Sequence, residues 1–361
     1  MENNKEHIMD ITEQRFGTLS DGTKVTLYTV QNGRMAFSAT DYGCTITSIV
    51  LRNENGSCTD VTLGYSTLDG YINDDCFFGV FVGRFANRIG KASFTVDGTK
   101  YALDKNDGQN TLHGGNDLYG KKVWKAKTVC SKKQAGIKFT RTSYDGEQGF
   151  PGTMKIEVSY MLDKDNNLTL SYSAVSDKAT PVNFTNHSYF NLAGTGNVEN
   201  HLLKMNCPSV LGIDTKLIPD GKMIPVKDTP FDFTKEKRIG KDIKDTGNGY
   251  DNAFVTQAYD PENPGCGVPS SSSKMVRVAE LTDPASGRMM TVDSNQESVQ
   301  MYTANWIGGK TGKNGRKYEK HGAVCLETQC FPDSPNKKEF PSCILEPGKK
   351  YHAVTVYGFR F

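Results

Sequence analysis

No stretch of this 361-residue chain approaches 18 consecutive apolar residues, so no transmembrane helix is expected. The opening M-E-N-N-K-E-H-I-M-D lacks the apolar run of a secretory signal, so none is expected there. An excess of one charge is also missing. The 43 Lys and Arg balance 41 Asp and Glu to +2, which gives no reason to expect nucleic acid or an anionic membrane as a partner. The nine cysteines form no C-x-x-C pair and no zinc-like spacing. An odd set without a framework reads as reduced thiols in a cytoplasmic protein. No long amphipathic helix and no composition break for a second domain is found. The 36 Gly and 14 Pro are scattered, which suits many turns between short strands.

What is present is strand after strand. Residues 1–15 read as a polar lead-in and 16–361 as one domain. Period-two or β-branched runs occur at 24–30, 36–40, 45–51, 61–64, 92–96, 100–103, 137–143, 154–162 and 168–174. They continue at 202–205, 253–255, 275–281, 289–294, 298–304, 322–328 and 352–361. Asp97-Gly98 is the strongest short-range hairpin signal. Without βαβ alternation the pattern predicts an all-β protein, a large antiparallel sandwich with few short helices. The segment 261–273, P-E-N-P-G-C-G-V-P-S-S-S-S, reads as an exposed loop insertion.

The chain is organised around residues 181–192, P-V-N-F-T-N-H-S-Y-F-N-L. Its apolar residues predict a strand, yet it carries Asn183, Thr185, Asn186, His187, Ser188 and Tyr189. Each polar group buried without a partner costs about 1–3 kcal/mol, so the run is expected to wall a site for a polar ligand. His187 is its one group that titrates near neutrality. Further clusters are G-R-F-A-N-R-I, with Arg84 expected to face water and Arg88 a cleft, and N-T-L-H-G-G, where two glycines let the backbone turn beside His113. G-Y-D-N contributes Asp251, A-V-C-L-E-T-Q contributes Glu327 on an inward strand face, and S-V-Q-M-Y-T contributes Gln300. One His and one Glu facing inward are the minimum set for concerted acid–base chemistry. The many donors and acceptors around them, with nearly no net charge, suit a sugar.

These pieces, in the order G-R-F-A-N-R-I-G-K-A-S-F, N-T-L-H-G-G, D-G-E-Q-G-F-P-G, T-P-V-N-F-T-N-H-S-Y-F-N-L-A-G, G-Y-D-N-A-F, V-Q-M-Y-T-A-N and C-L-E-T-Q-C-F-P-D-S-P-N, closely resemble the aldose 1-epimerases, or galactose mutarotases. The resemblance implies a β-supersandwich with a shallow sugar site on a concave face, and neither metal nor organic cofactor. It implies Glu327 as general base and His187 as general acid. It places Asn87, Arg88, His113 and Asp251 along the sugar, with Gln300 and Tyr189 as further contacts. The implied reaction opens the hemiacetal ring of an aldohexose. Glu327, ionised, takes the C1 hydroxyl proton, while His187, protonated and on the opposite side of C1, gives a proton to the ring oxygen. Arg88 and His113 would steady the oxygen that gains negative charge.

Other readings of the same residues are a non-catalytic sugar-binding module and a glycosidase using Asp251 and Glu327. A sugar-phosphate epimerase would want added basic residues. A cupin-like metal site would want an H-x-H pair, which is absent. The preferred hexose, and the choice between monomer and homodimer, are not written in the sequence.

Overall fold

The computed structural model describes residues 9–262 and 267–361. Three antiparallel sheets carry the architecture. The first has five strands in sequence order, Asp10–Thr18, Lys24–Gln31, Met35–Thr40, Thr45–Arg52 and Cys58–Asp60. The second has nine, ordered Lys125–Cys130, Gln134–Ser143, Met154–Asp163, Asn167–Ser176, Lys350–Arg360, Met289–Ser294, Val276–Thr282, Leu202–Met205 and Lys237–Arg238. The third runs Pro219–Pro225, Ser209–Ile213, Asp251–Val255, Ser298–Tyr302 and Cys325–Gln329. The one α-helix among the described residues is Leu68–Ile72, and no helix there is long and apolar enough to cross a membrane.

The alternation that marks the strands also builds the core. In Met154–Asp163 the side chains of Met154, Ile156, Val158, Tyr160 and Leu162 are buried, while Lys155 between them is exposed. They join one apolar cluster with Phe37 and Ile49 of the first sheet and Val299, Met301 and Leu326 of the third. The nine-stranded sheet is therefore covered by both smaller sheets. The hairpin at Asp97-Gly98 forms as expected, with φ of 49° and 76° at its two turn residues.

Several expectations change. Of the polar lead-in, residues 1–8 lie outside the described residues, and Asp10–Thr18 is an edge strand paired to Lys24–Gln31. It shows no period-two pattern because none of its nine residues is fully buried. Lys125–Cys130 escaped notice for the same reason. Residues 61–64 form no strand; Thr62 makes a single bridge to Phe190. The segment 181–192 is not one strand but the pairs Thr180–Pro181 and Thr185–Asn186 joined by irregular chain. Residues 263–266 of the expected loop lie outside the described residues.

Arg84 is the largest departure, because it does not face water. It is 0% exposed. Its guanidinium donates to the carbonyls of Pro151 at 2.7 Å and Gly152 at 3.0 Å and to Ser143 Oγ at 2.5 Å, and it lies over the Phe150 ring. A planar fork of donors can satisfy several fixed acceptors at once, which a hydrated ammonium cannot.

A second buried polar group gives the fold an acid weakness. His201 sits beneath the chain at Leu192, whose N–H donates to His201 Nε2 at 3.1 Å. Burial lowers its pKa to about 4. Unfolded, the same ring takes up a proton below about pH 6.5, so stability falls as pH drops from 6.5 towards 4 and levels off below that. The lost stability is on the order of 3 kcal/mol. His201→Gln should lessen this slope in melting scans between pH 7 and 4.5, the rest belonging to the buried His113 and His187; an unchanged slope would show that His201 contributes nothing to it.

Candidate active site

Strand register assembles the acidic wall. Gln300 lies directly opposite Glu327, and Ala253 directly opposite Gln300. Directly opposed residues share a face, and Asp251 shares Ala253's face two residues away. Asp251, Gln300 and Glu327 therefore emerge together, while Val299, Met301 and Leu326 on the other face enter the core. The facing wall comes from loops. Asn87 and His113, both at positive φ, are locked together: Asn87 N–H donates to His113 Nδ1 and His113 N–H to the Asn87 carbonyl, each at 3.1 Å. A Cβ on Gly114, at φ +94°, would meet the Gly83 carbonyl at 2.5 Å, so the tight turn expected at His113 requires glycine.

Between these walls lies a concave cleft that is open to solvent. All eight residues expected from the sequence, Glu327, His187, Asn87, Arg88, His113, Tyr189, Asp251 and Gln300, line it. Sequence reasoning missed Phe77, Leu112, Leu217, Tyr302, Trp306 and Ile307. Trp306, 69% exposed at the rim, carries no periodic signal.

His187 Nε2 and Glu327 Oε1 are 3.6 Å apart, with the residues 6% and 3% exposed. They stand side by side rather than on opposite sides of a carbon. Two oxygens on one hemiacetal carbon can still reach one group each. Arg88 is held by Asp107 through Nε at 2.8 Å, which leaves its two terminal nitrogens for the cleft. Asp251 accepts from Gln300 Nε2 at 2.6 Å. The Tyr189 hydroxyl donates to the Cys76 carbonyl at 2.7 Å, so what Tyr189 offers the cleft is its ring.

Most other polar groups of 181–192 are staples rather than a ligand wall. Asn183 donates to the Ala86 carbonyl and accepts from Cys330 N–H. Asn186 donates to the Gly79 carbonyl and accepts from Ser188. Asn191 donates to the carbonyls of Thr195, Gly196 and Gly322. These bonds hold His187 between residues 79 and 80, whose backbone also pairs with its own.

Burial governs the electrostatics. Desolvation raises the Glu327 carboxyl well above its ordinary value; nearby Asp251 adds to this and Arg88 opposes it. Desolvation lowers His187 to about 4. Both shifts run towards the neutral pair, against the ionised pair expected from the sequence. Desolvation also lowers His113, so its ring is neutral. Since His113 Nδ1 accepts a hydrogen bond, its proton is on Nε2, which makes it a donor for a sugar oxygen.

That tautomer bears on metal binding. His113, His187 and Glu327 bring ligand atoms within 4.8 Å of one another among the described residues. A protonated Nε2 on His113 donates and does not ligate, which leaves two ligands, one short of a catalytic zinc site.

The comparisons with known proteins agree with the geometry. The aldose 1-epimerase family model matches residues 26–358. A galactose mutarotase from Homo sapiens is 38% identical over 354 residues, covering 97% of this chain and 98% of that protein. An aldose 1-epimerase from Escherichia coli K12 is 34% identical over 349 residues, covering 94% and 96%. The crystal structure of galactose 1-epimerase from Lactobacillus acidophilus superposes with a TM-score of 0.82 at 26% identity, covering 98% and 99%.

Proposed function

The chain belongs to the aldose 1-epimerase family, and we propose that it interconverts the α and β anomers of free aldohexoses such as galactose and glucose, with Glu327 as general base and His187 as general acid. The observation that carries this reading is the pairing of Glu327 with His187 at 3.6 Å in a cleft otherwise rich in neutral donors and acceptors. Arg88 is the only Lys or Arg among the described lining residues, against Asp75, Asp251 and Glu327. That balance favours a neutral sugar over a sugar phosphate. A binding module would not need an acid and a base together, and Asp251 is engaged with Gln300 rather than free as a second glycosidase carboxylate.

Glu327 accepts the C1 hydroxyl proton and His187 donates to the ring oxygen. The C1–O5 bond breaks, and rotation about C1–C2 precedes closure on the other face of the carbonyl. Arg88 and the Nε2–H of His113 donate to the oxygens as charge builds, and Asn87, Asp251 and Gln300 hold the remaining hydroxyls. The ionised pair and the neutral pair hold the same single proton, so pH does not choose between them. What pH changes is the pair's total count. Turnover should fall below about pH 4, where His187 takes a second proton, and fall again above the raised pKa of Glu327, where the pair loses its last. Asp251→Asn removes a charge that raises Glu327, so the alkaline limb of kcat/KM should move to lower pH. The position of the limb, not its height, is the test; a limb that stays in place would remove Glu327 as its source.

The direct assay is optical rotation of freshly dissolved α-D-galactose and α-D-glucose with and without the protein. Equal relaxation rates would overturn the functional reading. The same reading puts the protein in the cytoplasm, as a monomer or homodimer. The eight described cysteines are free thiols, which suits a reducing compartment.

A further inference from the structure

A histidine that handles protons is usually oriented by a hydrogen bond at the nitrogen that points away from the reaction. His187 lacks an anchor from any other described residue: its Nδ1 is buried and meets nothing beyond its own backbone. Aromatic rings surround it instead. Tyr189 lies nearly parallel to the imidazole, with centroids 4.9 Å apart and planes at 16°. Phe77 is also nearly parallel, at 5.9 Å and 18°. Phe77 also presses on His113 at 4.8 Å and 63°, so one ring touches both cleft histidines.

The segment carrying Phe77 is itself fixed. Asp74 accepts from the N–H groups of Cys76 and Phe78, each at 2.9 Å. Lys121 Nζ donates to the carbonyls of Tyr71, Ile72 and Asp74. The Tyr189 hydroxyl holds the Cys76 carbonyl. Phe77 adopts φ of +61°, uncommon for a bulky residue and supported by this bonding on either side. Such a loop delivers a ring to one place.

We propose that Phe77 is a positioning residue for the reaction: its ring, held against His113 and His187, sets the plane of the His187 imidazole in place of the missing hydrogen bond. This rests on the functional reading above, in which His187 is the acid. Misplacing a reacting group by about 1 Å can cost about 100-fold.

The test is Phe77→Leu, which keeps apolar bulk and removes the ring. We expect kcat to fall by about 10- to 100-fold with KM nearly unchanged, and Phe77→Tyr to restore it. In the sugar-free protein, the ring-current displacement of the His187 Cε1–H resonance should shrink in the leucine variant and return in the tyrosine variant. Unchanged kcat and an unmoved resonance would overturn the proposal, as would a loss borne by KM alone. If the leucine variant melts far below the parent, Phe77→Met takes its place. The resonance needs no turnover: a parent protein inactive on every hexose would defeat the functional reading, while the spectrum would still decide what Phe77 does.

Discussion

Glu327→Gln is expected to lower mutarotation of galactose by about 10²–10⁴-fold, and His187→Asn by a similar factor. Each removes one partner of a proton exchange that needs both, so the double variant should be scarcely slower than the worse single one. Polarimetry on fresh α-D-galactose measures all three. The stability of the glutamine variant is an independent check. Burial disfavours the Glu327 charge, and among the described residues only His187 pairs with its carboxylate. A neutral amide of the same shape relieves that cost, so Glu327→Gln should melt no lower than the parent, and higher at neutral and alkaline pH. Near-normal turnover in either single variant would end the assignment of roles. A large drop in melting temperature for Glu327→Gln would instead make the carboxylate part of the framework.

The largest effect on stability is expected far from the proton chemistry, at Arg84. Arg84→Met keeps an unbranched buried side chain but strands the carbonyls of Pro151 and Gly152, while Ser143 keeps the Tyr119 hydroxyl as a donor. A buried acceptor without its donor costs about 1–3 kcal/mol, so the variant should lose roughly 3–5 kcal/mol. In a domain of 361 residues that is a fall of about 4–7 °C in Tm. Arg84 also lies in the chain that leads to Asn87, and its carbonyl accepts from Asn183 N–H at 3.1 Å. Loosening it should therefore raise KM for sugar before the fold is lost. A melting temperature within about 2 °C of the parent would show that water or a rearranged side chain satisfies those acceptors.

The all-β class, most of the core strands and the chemical types at the site are legible in the order of the residues alone. Those features are local. Period-two alternation follows from a pleated backbone with one buried face, and it was clear wherever one face enters the core, as at Met154–Asp163. Polar residues in apolar runs pointed to seven of the eight site residues, the motif resemblance added Asn87 and the roles, and all eight reach one cleft. The use of each polar group came from the folded chain, because a side chain's partners are set by segments distant in sequence. Asn183 and His187 stand four residues apart in one polar run. One is spent on carbonyl and amide groups of residues 86 and 330, and the other opens on the cleft. Arg84 and Arg88 likewise share a motif, yet one is enclosed and the other reaches the cleft. Burial then set the protonation of Glu327 and His187, which depends on how much water the assembled walls exclude and so belongs to no single stretch of chain.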